Sequence, residues 1–280
     1  MHLTGQSRQI HFGVPGYLNL VRNFERFGFR TVEHSVDGDG VKLDYRYMKP
    51  GDIVYLMPEH HFPQCVTLNA ERRALLERHS RERNIFIIED DYDGEFYYDR
   101  RPMPALKADS SWSQIIYIGT FSKTLFNSLR LGYVVATPKF IRSFAGLHWA
   151  LSRGTSGLTQ RWVHELIEAD VLNRHVQRMR SVYCRKRDAI AEFIAKEFPQ
   201  WKFRILKGGL QFFIDTGDRR VVESFLALCK RRALNVAHPD QYCSHLNGEN
   251  RVADTFLIIG FGASSLPSIL SALAEIKADL

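Results

Sequence analysis

The chain has 280 residues, is 45% hydrophobic and carries a formal net charge of +7. That length supports a large core and suits one large domain with a smaller one beside it. No apolar run approaches the roughly 20 residues that span a bilayer, the first residues lack a charged-then-apolar leader pattern, and the scattered Cys65, Cys184, Cys229 and Cys243 form neither a disulfide framework nor a zinc motif.

In chain order, residues 17–27 have helical apolar spacing and stop at Gly28. Residues 29–36 are extended and end in the turn Asp37-Gly38-Asp39-Gly40. Residues 52–57 form a short buried strand stopped by Pro58, and Asn69 caps a helix over 70–83. Residues 85–88, 114–118 and 131–136 are continuous apolar runs, the pattern of parallel strands covered on both faces. Strands alternating with helices predict an α/β domain with a mainly parallel sheet. Thr137-Pro138 opens the next helix, with proline at its first position. A helical stretch over 159–198 is predicted to break once or twice. Beyond it come a strand at 201–206, a hairpin partner at 210–215, a helix at 219–232, a polar loop at 238–254, a strand at 255–259 and a helix at 266–278. The expected layout is a large domain at 1–145, connecting helices at 146–198 and a small α+β domain at 199–280.

The positive charge concentrates in Arg174, Arg178, Arg180, Arg185, Lys186 and Arg187, and again in Lys230, Arg231 and Arg232. Both groups fall on predicted helices and are read as solvated faces. No zinc-finger spacing or basic-zipper heptad accompanies them, so sequence-specific DNA binding by this chain alone is not expected.

Two strings carry chemistry. The run GTFSKTLFNSLRLGY, 119–133, lies between two of the buried strands. A lysine in such a tight loop is partly desolvated and makes a useful amine nucleophile. The hydroxyls of Thr120 and Ser122 and the planar fork of Arg130 suit a phosphate dianion. Lys123 with these neighbours therefore matches an aldehyde cofactor that carries a phosphate; the plain alternative is a surface loop with an exposed lysine. In the second string, EDDYDGEF at 89–96, carboxylates follow a buried strand at the carboxyl end of the sheet, where ligands of open α/β sheets bind. A carboxylate there can pair with a pyridinium N–H and keep the ring an electron sink. Taken alone, the same cluster also suits a hard cation.

EDDYDGEF and GTFSKTLFNSLRLGY closely resemble the aminotransferase-like domain of the MocR/GabR family of GntR-type transcription regulators. The segments PGYLNLVRNFERFGFRTVEHSVDGDG and HVQRMRSVYCRKRDAI are similar to the same family, from Pro15 onward. The resemblance implies a fold-type I, pyridoxal-phosphate (PLP) dependent transferase architecture. It implies that Lys123 forms the internal aldimine, that Asp90 pairs with the pyridine nitrogen and that Tyr92 lies near the cofactor 3-oxygen. Thr120, Ser122 and Arg130 match the phosphate cradle, and Tyr17 the aromatic that stacks on the ring; a plain helix-start aromatic is the alternative for Tyr17. The family also implies an amino compound as effector or substrate, a homodimer, a cytoplasmic setting and no metal or membrane partner. Three readings stay open: an effector-sensing domain of a regulator, a free-standing aminotransferase, and a remnant with neither activity.

The departures are specific. The family usually shows Ser-His-Gln-aromatic-Pro-Thr-Gly beside the cofactor; here Glu59-His60-His61-Phe62-Pro63-Gln64-Cys65 stands instead. Amino-acid-binding members often carry an arginine just before the last Gly-aromatic pair, but Ile258-Ile259 precede Gly260-Phe261 here, and Arg251 is only a distant substitute. The family's winged-helix domain and the first part of its aminotransferase fold, with a phosphate-cupping turn, have no counterpart in the sequence, so the large domain is expected to be incomplete.

Overall fold

The computed structural model describes residues 8–99, 102–108, 111–232, 234, 236, 238–243 and 255–279. Its first part alternates β1 (Gln9–Val14), α1 (Leu18–Arg26), β2 (Arg30–Asp37), β3 (Gly40–Val41), β4 (Ile53–Leu56), α2 (Ala70–Arg83), β5 (Phe86–Asp91), β6 (Ile115–Thr120) and β7 (Gly132–Val135). Among the described residues these strands form a seven-stranded sheet in the order β3-β2-β1-β4-β5-β6-β7. The interior pairs, from β2 to β6, are parallel, and β3 and β7 close the edges antiparallel.

The period-two alternation of strand side chains explains why the runs at 53–57 and 85–88 are apolar throughout. Val54, Leu56, Ile87 and Ile115 point to one face and pack with Leu76 of α2 and Trp112. Ile10, Phe12, Val14 and Tyr55 point to the other and pack with Leu18 and Val21 of α1. Asn69 caps α2 as expected, its side chain accepting the Arg72 amide at 2.9 Å.

Three features differ from the sequence reading; the first is that the strand expected at 201–206 is only the two residues Lys202–Phe203. The run at 131–136 is not a covered parallel strand: β7 is antiparallel, and three of its four residues are exposed. Its apolar side chains reflect an edge position rather than a buried one. Strand β1 carries no clean apolar pattern, because His11 and Gly13 interrupt it. His11 is nevertheless fully buried, with Nδ1 2.9 Å from His34 Nε2 and Nε2 3.4 Å from Asp52 Oδ2. Polar partners inside the sheet make that burial possible.

The second part runs α3 (Pro138–Ser152), α4 (Gly157–Glu168), α5 (Val171–Glu197), β8 (Lys202–Phe203), β9 (Gln211–Asp215), α6 (Arg219–Arg231), β10 (Phe256–Gly260) and α7 (Leu266–Asp279). Strands β10-β9-β8 make an antiparallel three-stranded sheet. Its core joins Phe212 and Ile214 to Ile190 and Ile194 of α5, Phe225 of α6 and Leu273 of α7. The long helical stretch breaks once, at Ala169-Asp170, where Asp170 turns left-handed. No helix among the described residues is long and apolar enough to cross a membrane.

The basic face of α5 is only partly a solvated one. Arg187 is buried, clasping Asp99 through Nη1 at 2.6 Å and Nη2 at 3.1 Å. Arg180 lies 3.9 Å over the Tyr97 ring and donates from Nε to Glu95 O at 2.5 Å. Lys186 donates to Phe261 O at 3.1 Å. These cations fasten the segment after β5, and the start of the loop after β10, to the helix.

Candidate functional site

The carboxyl ends of β5 and β6 lie side by side, with Asp90 in register with Ile118 and Asp91 with Gly119. Asp90, next to last in β5, is thus two residues short of Thr120, which ends β6 and leads into the turn that carries Ser122 and Lys123. Thr120 Oγ1 accepts the Ser122 amide at 3.1 Å and donates to Leu131 O at 3.4 Å, which closes the turn onto β7. Gly119 lets the Tyr133 ring lie against β6; a Cβ there would overlap the ring. Lys123 is exposed, not partly desolvated as its place in a tight loop leads one to expect, and its amine bonds to no described residue. Arg130 is exposed too, with a left-handed φ of 50° at the end of a short 3-10 turn.

Asp90 is held from the neighbouring strand: the Tyr55 hydroxyl donates to Oδ2 at 2.5 Å. Burial pushes the Asp90 carboxyl up to about 6; the Tyr55 bond works against that rise, and the Asp91 and Asp93 carboxylates add to it. Tyr92 lies two residues on, its hydroxyl accepting from Gln211 Nε2 at 3.2 Å, and burial lifts its phenol well above the ordinary range. Phe62 meets Tyr17, Tyr92 and Tyr242 edge to face, at centroid distances of 6.2, 6.3 and 5.1 Å. Tyr17 is the N-cap residue of α1 and is 44% exposed. Asp90, Tyr92 and Tyr17 thus share one aromatic-lined corner, and Thr120, Ser122 and Lys123 occupy the adjacent turn.

The Glu59-to-Cys65 segment makes a tight turn without a glycine. Cys65 takes a φ of 52°, donates its N–H to His61 O at 2.7 Å, and is followed by the His61 N–H bond to Val66 O at 2.8 Å. That conformation costs an L-residue about 1–2 kcal/mol. The Cys65 side chain offsets part of this by packing against the core of the three-stranded sheet. Cys65→Gly is therefore expected to change stability by no more than about 1 kcal/mol, because strain relief and lost packing oppose each other. Cys65→Val, β-branched in the same conformation, is expected to cost about 2 kcal/mol or more. Urea denaturation of the two variants checks both.

His60 and His61 are buried and structural. His60 Nδ1 lies 2.8 Å from Asp93 Oδ1; burial opposes its charge, but the Asp93 carboxylate outweighs that and raises the imidazole above its ordinary value. His60 also fills the space beside Gly208, where any Cβ would overlap it. His61 bonds Pro15 O through Nε2 at 2.9 Å. At the last Gly-aromatic pair, Ile259 packs against the apolar core and Phe261 is fully buried; Arg251 lies outside the described residues.

Sequence reasoning missed Tyr55, Phe62, Gln211 and Tyr242 as parts of this corner. Phe62 could have been found from its place in the quoted motif. Tyr55 gave one signal, a polar-tipped ring inside an otherwise apolar strand; Gln211 and Tyr242 come from distant chain and gave none.

No family model matches the chain. It is 27% identical over 269 residues to the uncharacterized HTH-type transcriptional regulator YdeL of Bacillus subtilis, covering 94% of this chain and 56% of that protein. It is 27% identical over 187 residues to the probable rhizopine catabolism regulatory protein MocR of Rhizobium meliloti, covering 67% of this chain and 38% of that one. The chain is an aminotransferase-like domain related to the MocR-type regulators. The solved alpha-aminoadipate aminotransferase LysN of Thermus thermophilus, complexed with N-(5'-phosphopyridoxyl)-L-leucine, superposes with a TM-score of 0.86 at 20% identity, covering 98% of this chain and 71% of that one. That likeness establishes the fold-type I architecture for this MocR-related domain. The chain spans only about two fifths to three fifths of the two regulators' length.

Proposed function

We propose that this domain binds PLP and senses an amino compound, as the effector part of a MocR/GabR-type regulator. The supporting observation is the register of β5 and β6, which sets the Asp90 carboxylate beside the turn of Thr120, Ser122 and Lys123. The residues present fit the cofactor: a lysine amine with no competing partner among the described residues, two hydroxyls and a guanidinium for a phosphate, and a buried carboxylate for a ring nitrogen. PLP, when bound, supplies an aldehyde and an electron-withdrawing ring. In this reading Lys123 attaches it, Thr120, Ser122 and Arg130 hold its phosphate, Asp90 holds a proton at the ring nitrogen, and Tyr92 and Tyr17 border the ring. Exposed apolar residues on α3 and α4, among them Leu147, Trp149, Leu151 and Leu158, are consistent with a homodimer.

Asp90→Ala is expected to weaken PLP retention at least tenfold; the unpaired Tyr55 hydroxyl it leaves costs about 1–3 kcal/mol, offset in part by removing a carboxyl whose charge burial disfavours. Asp91→Ala is expected to destabilise the fold and leave PLP retention unchanged. Asp91 accepts the Tyr117 hydroxyl at 2.7 Å and the Gly94 amide at 2.8 Å, so its loss costs about 1–3 kcal/mol of stability. Dialysis of the loaded proteins, followed by absorbance and thermal melting, checks both; cofactor loss from Asp91→Ala alone would shift the assignment by one residue.

A free-standing aminotransferase is the second reading, favoured by the match in fold to LysN. Release of a keto compound from an added amino acid in a single turnover would select it.

A further inference from the structure

We propose that Tyr55 is the positioning residue of Asp90: its hydroxyl fixes one carboxylate oxygen and leaves the other to face a ring nitrogen. This rests on the reading of Asp90 as the cofactor's pyridine partner. Tyr55 lies in β4 in register with Ile88, and Asp90 is two residues further along β5, on the same face. A tyrosine ring spans that diagonal, and the hydroxyl reaches Oδ2 at 2.5 Å. Oδ1 has no hydrogen bond to a described residue.

The surroundings leave Tyr55 as the group that stabilises the charge. Asp91 and Asp93 repel it, no other described residue donates a hydrogen bond to it, and desolvation favours the protonated acid. Tyr55 is 3% exposed, and burial with the Asp90 carboxylate drives its own phenol well above the ordinary range, so it remains a donor across the working pH range. A carboxylate that must keep a ring nitrogen protonated has to be ionised itself, which is the state this bond favours.

The test measures Asp90 directly, in the full chain without cofactor, by NMR of carbon-labelled aspartate, and separately measures PLP affinity by fluorescence. Tyr55→Phe should raise the Asp90 titration midpoint by about one pH unit and weaken PLP binding about tenfold at neutral pH. Fluorotyrosine at position 55 keeps the shape and donates more strongly, so it should lower the midpoint; it also serves if Tyr55→Phe folds poorly. An Asp90 midpoint unmoved by either change overturns the proposal. If Asp90→Asn weakens PLP binding while Tyr55→Phe does not, the role of Tyr55 falls and that of Asp90 stands. If neither variant affects PLP binding, the cofactor reading of Asp90 falls and takes the proposal with it.

Discussion

Incubation with PLP followed by borohydride reduction is expected to place a single stable label on the peptide containing Lys123, and Lys123→Ala is expected to carry none there. The chemistry needs a lysine whose amine is free to attack, with anion-binding groups close enough to hold the phosphate. Lys123 meets the first condition: it is exposed and unpaired among the described residues. Lys186, by contrast, is engaged with two main-chain carbonyls, of Phe261 and Ser264. The second condition is met by Thr120 and Ser122 in the same turn and by Arg130 at its end. The readout is mass spectrometry of the digested protein. Label on a different lysine would remove Lys123 from its role, and no label at all would favour a remnant without cofactor chemistry.

The second large effect is a pH dependence carried by buried imidazoles. Burial lowers His34 to about 4, with the neighbouring His11 adding to the shift, and burial lowers His61 to about 4 as well. In the unfolded chain both titrate near 6.5. Between these values the unfolded state binds protons that the folded state does not, so stability falls as pH drops from 6.5 to 4 and is at its plateau above. Each histidine contributes a loss of about 3 kcal/mol over that interval. Buried Asp90 and Glu95, raised mainly by burial to about 6 and about 7, act oppositely: the fold favours their protonated forms and gains as pH falls through the same interval. The total curve is therefore shallow, and the informative quantity is a difference. The stability of the wild type relative to His34→Gln is expected to drop by about 3 kcal/mol from pH 7 to pH 4. Urea midpoints of both proteins across that range provide the measurement; parallel curves would show that His34 is not held neutral.

Much of the fold was legible because the strands announce themselves. The segments IVYLM and IFII are apolar at every position since both faces of the central sheet are covered, and Asn69 and Thr137 mark helix starts by the hydrogen bonds they offer. Strand β1 was not legible, because a histidine is buried there by partners 23 and 41 residues away. The edge position of β7 was hidden for the opposite reason: its residues are apolar without being covered. At the site, Lys123 and Asp90 were read from local strings, and the sheet register brings those strings together. The corner formed by Tyr55, Phe62, Gln211 and Tyr242 depends on long-range packing that local spacing does not encode. The turn at Cys65 is left-handed although no glycine stands there.

Helix α5 has 27 residues, a rod about 40 Å long. Two clamps bolt it to the segment that follows Asp90 and Tyr92: Arg180 on Glu95 and Tyr97, and Arg187 on Asp99. The clamps are seven residues apart, or about 10 Å along the axis. Mechanically this is a lever with a short drive arm. A relative displacement of about 1 Å between the clamps tilts the rod by about 6°, and pivoting at Arg187 sweeps its amino end through about 2 Å. A ligand that moves the end of β5 by less than a bond length would thus produce a larger excursion at Val171, beside α4.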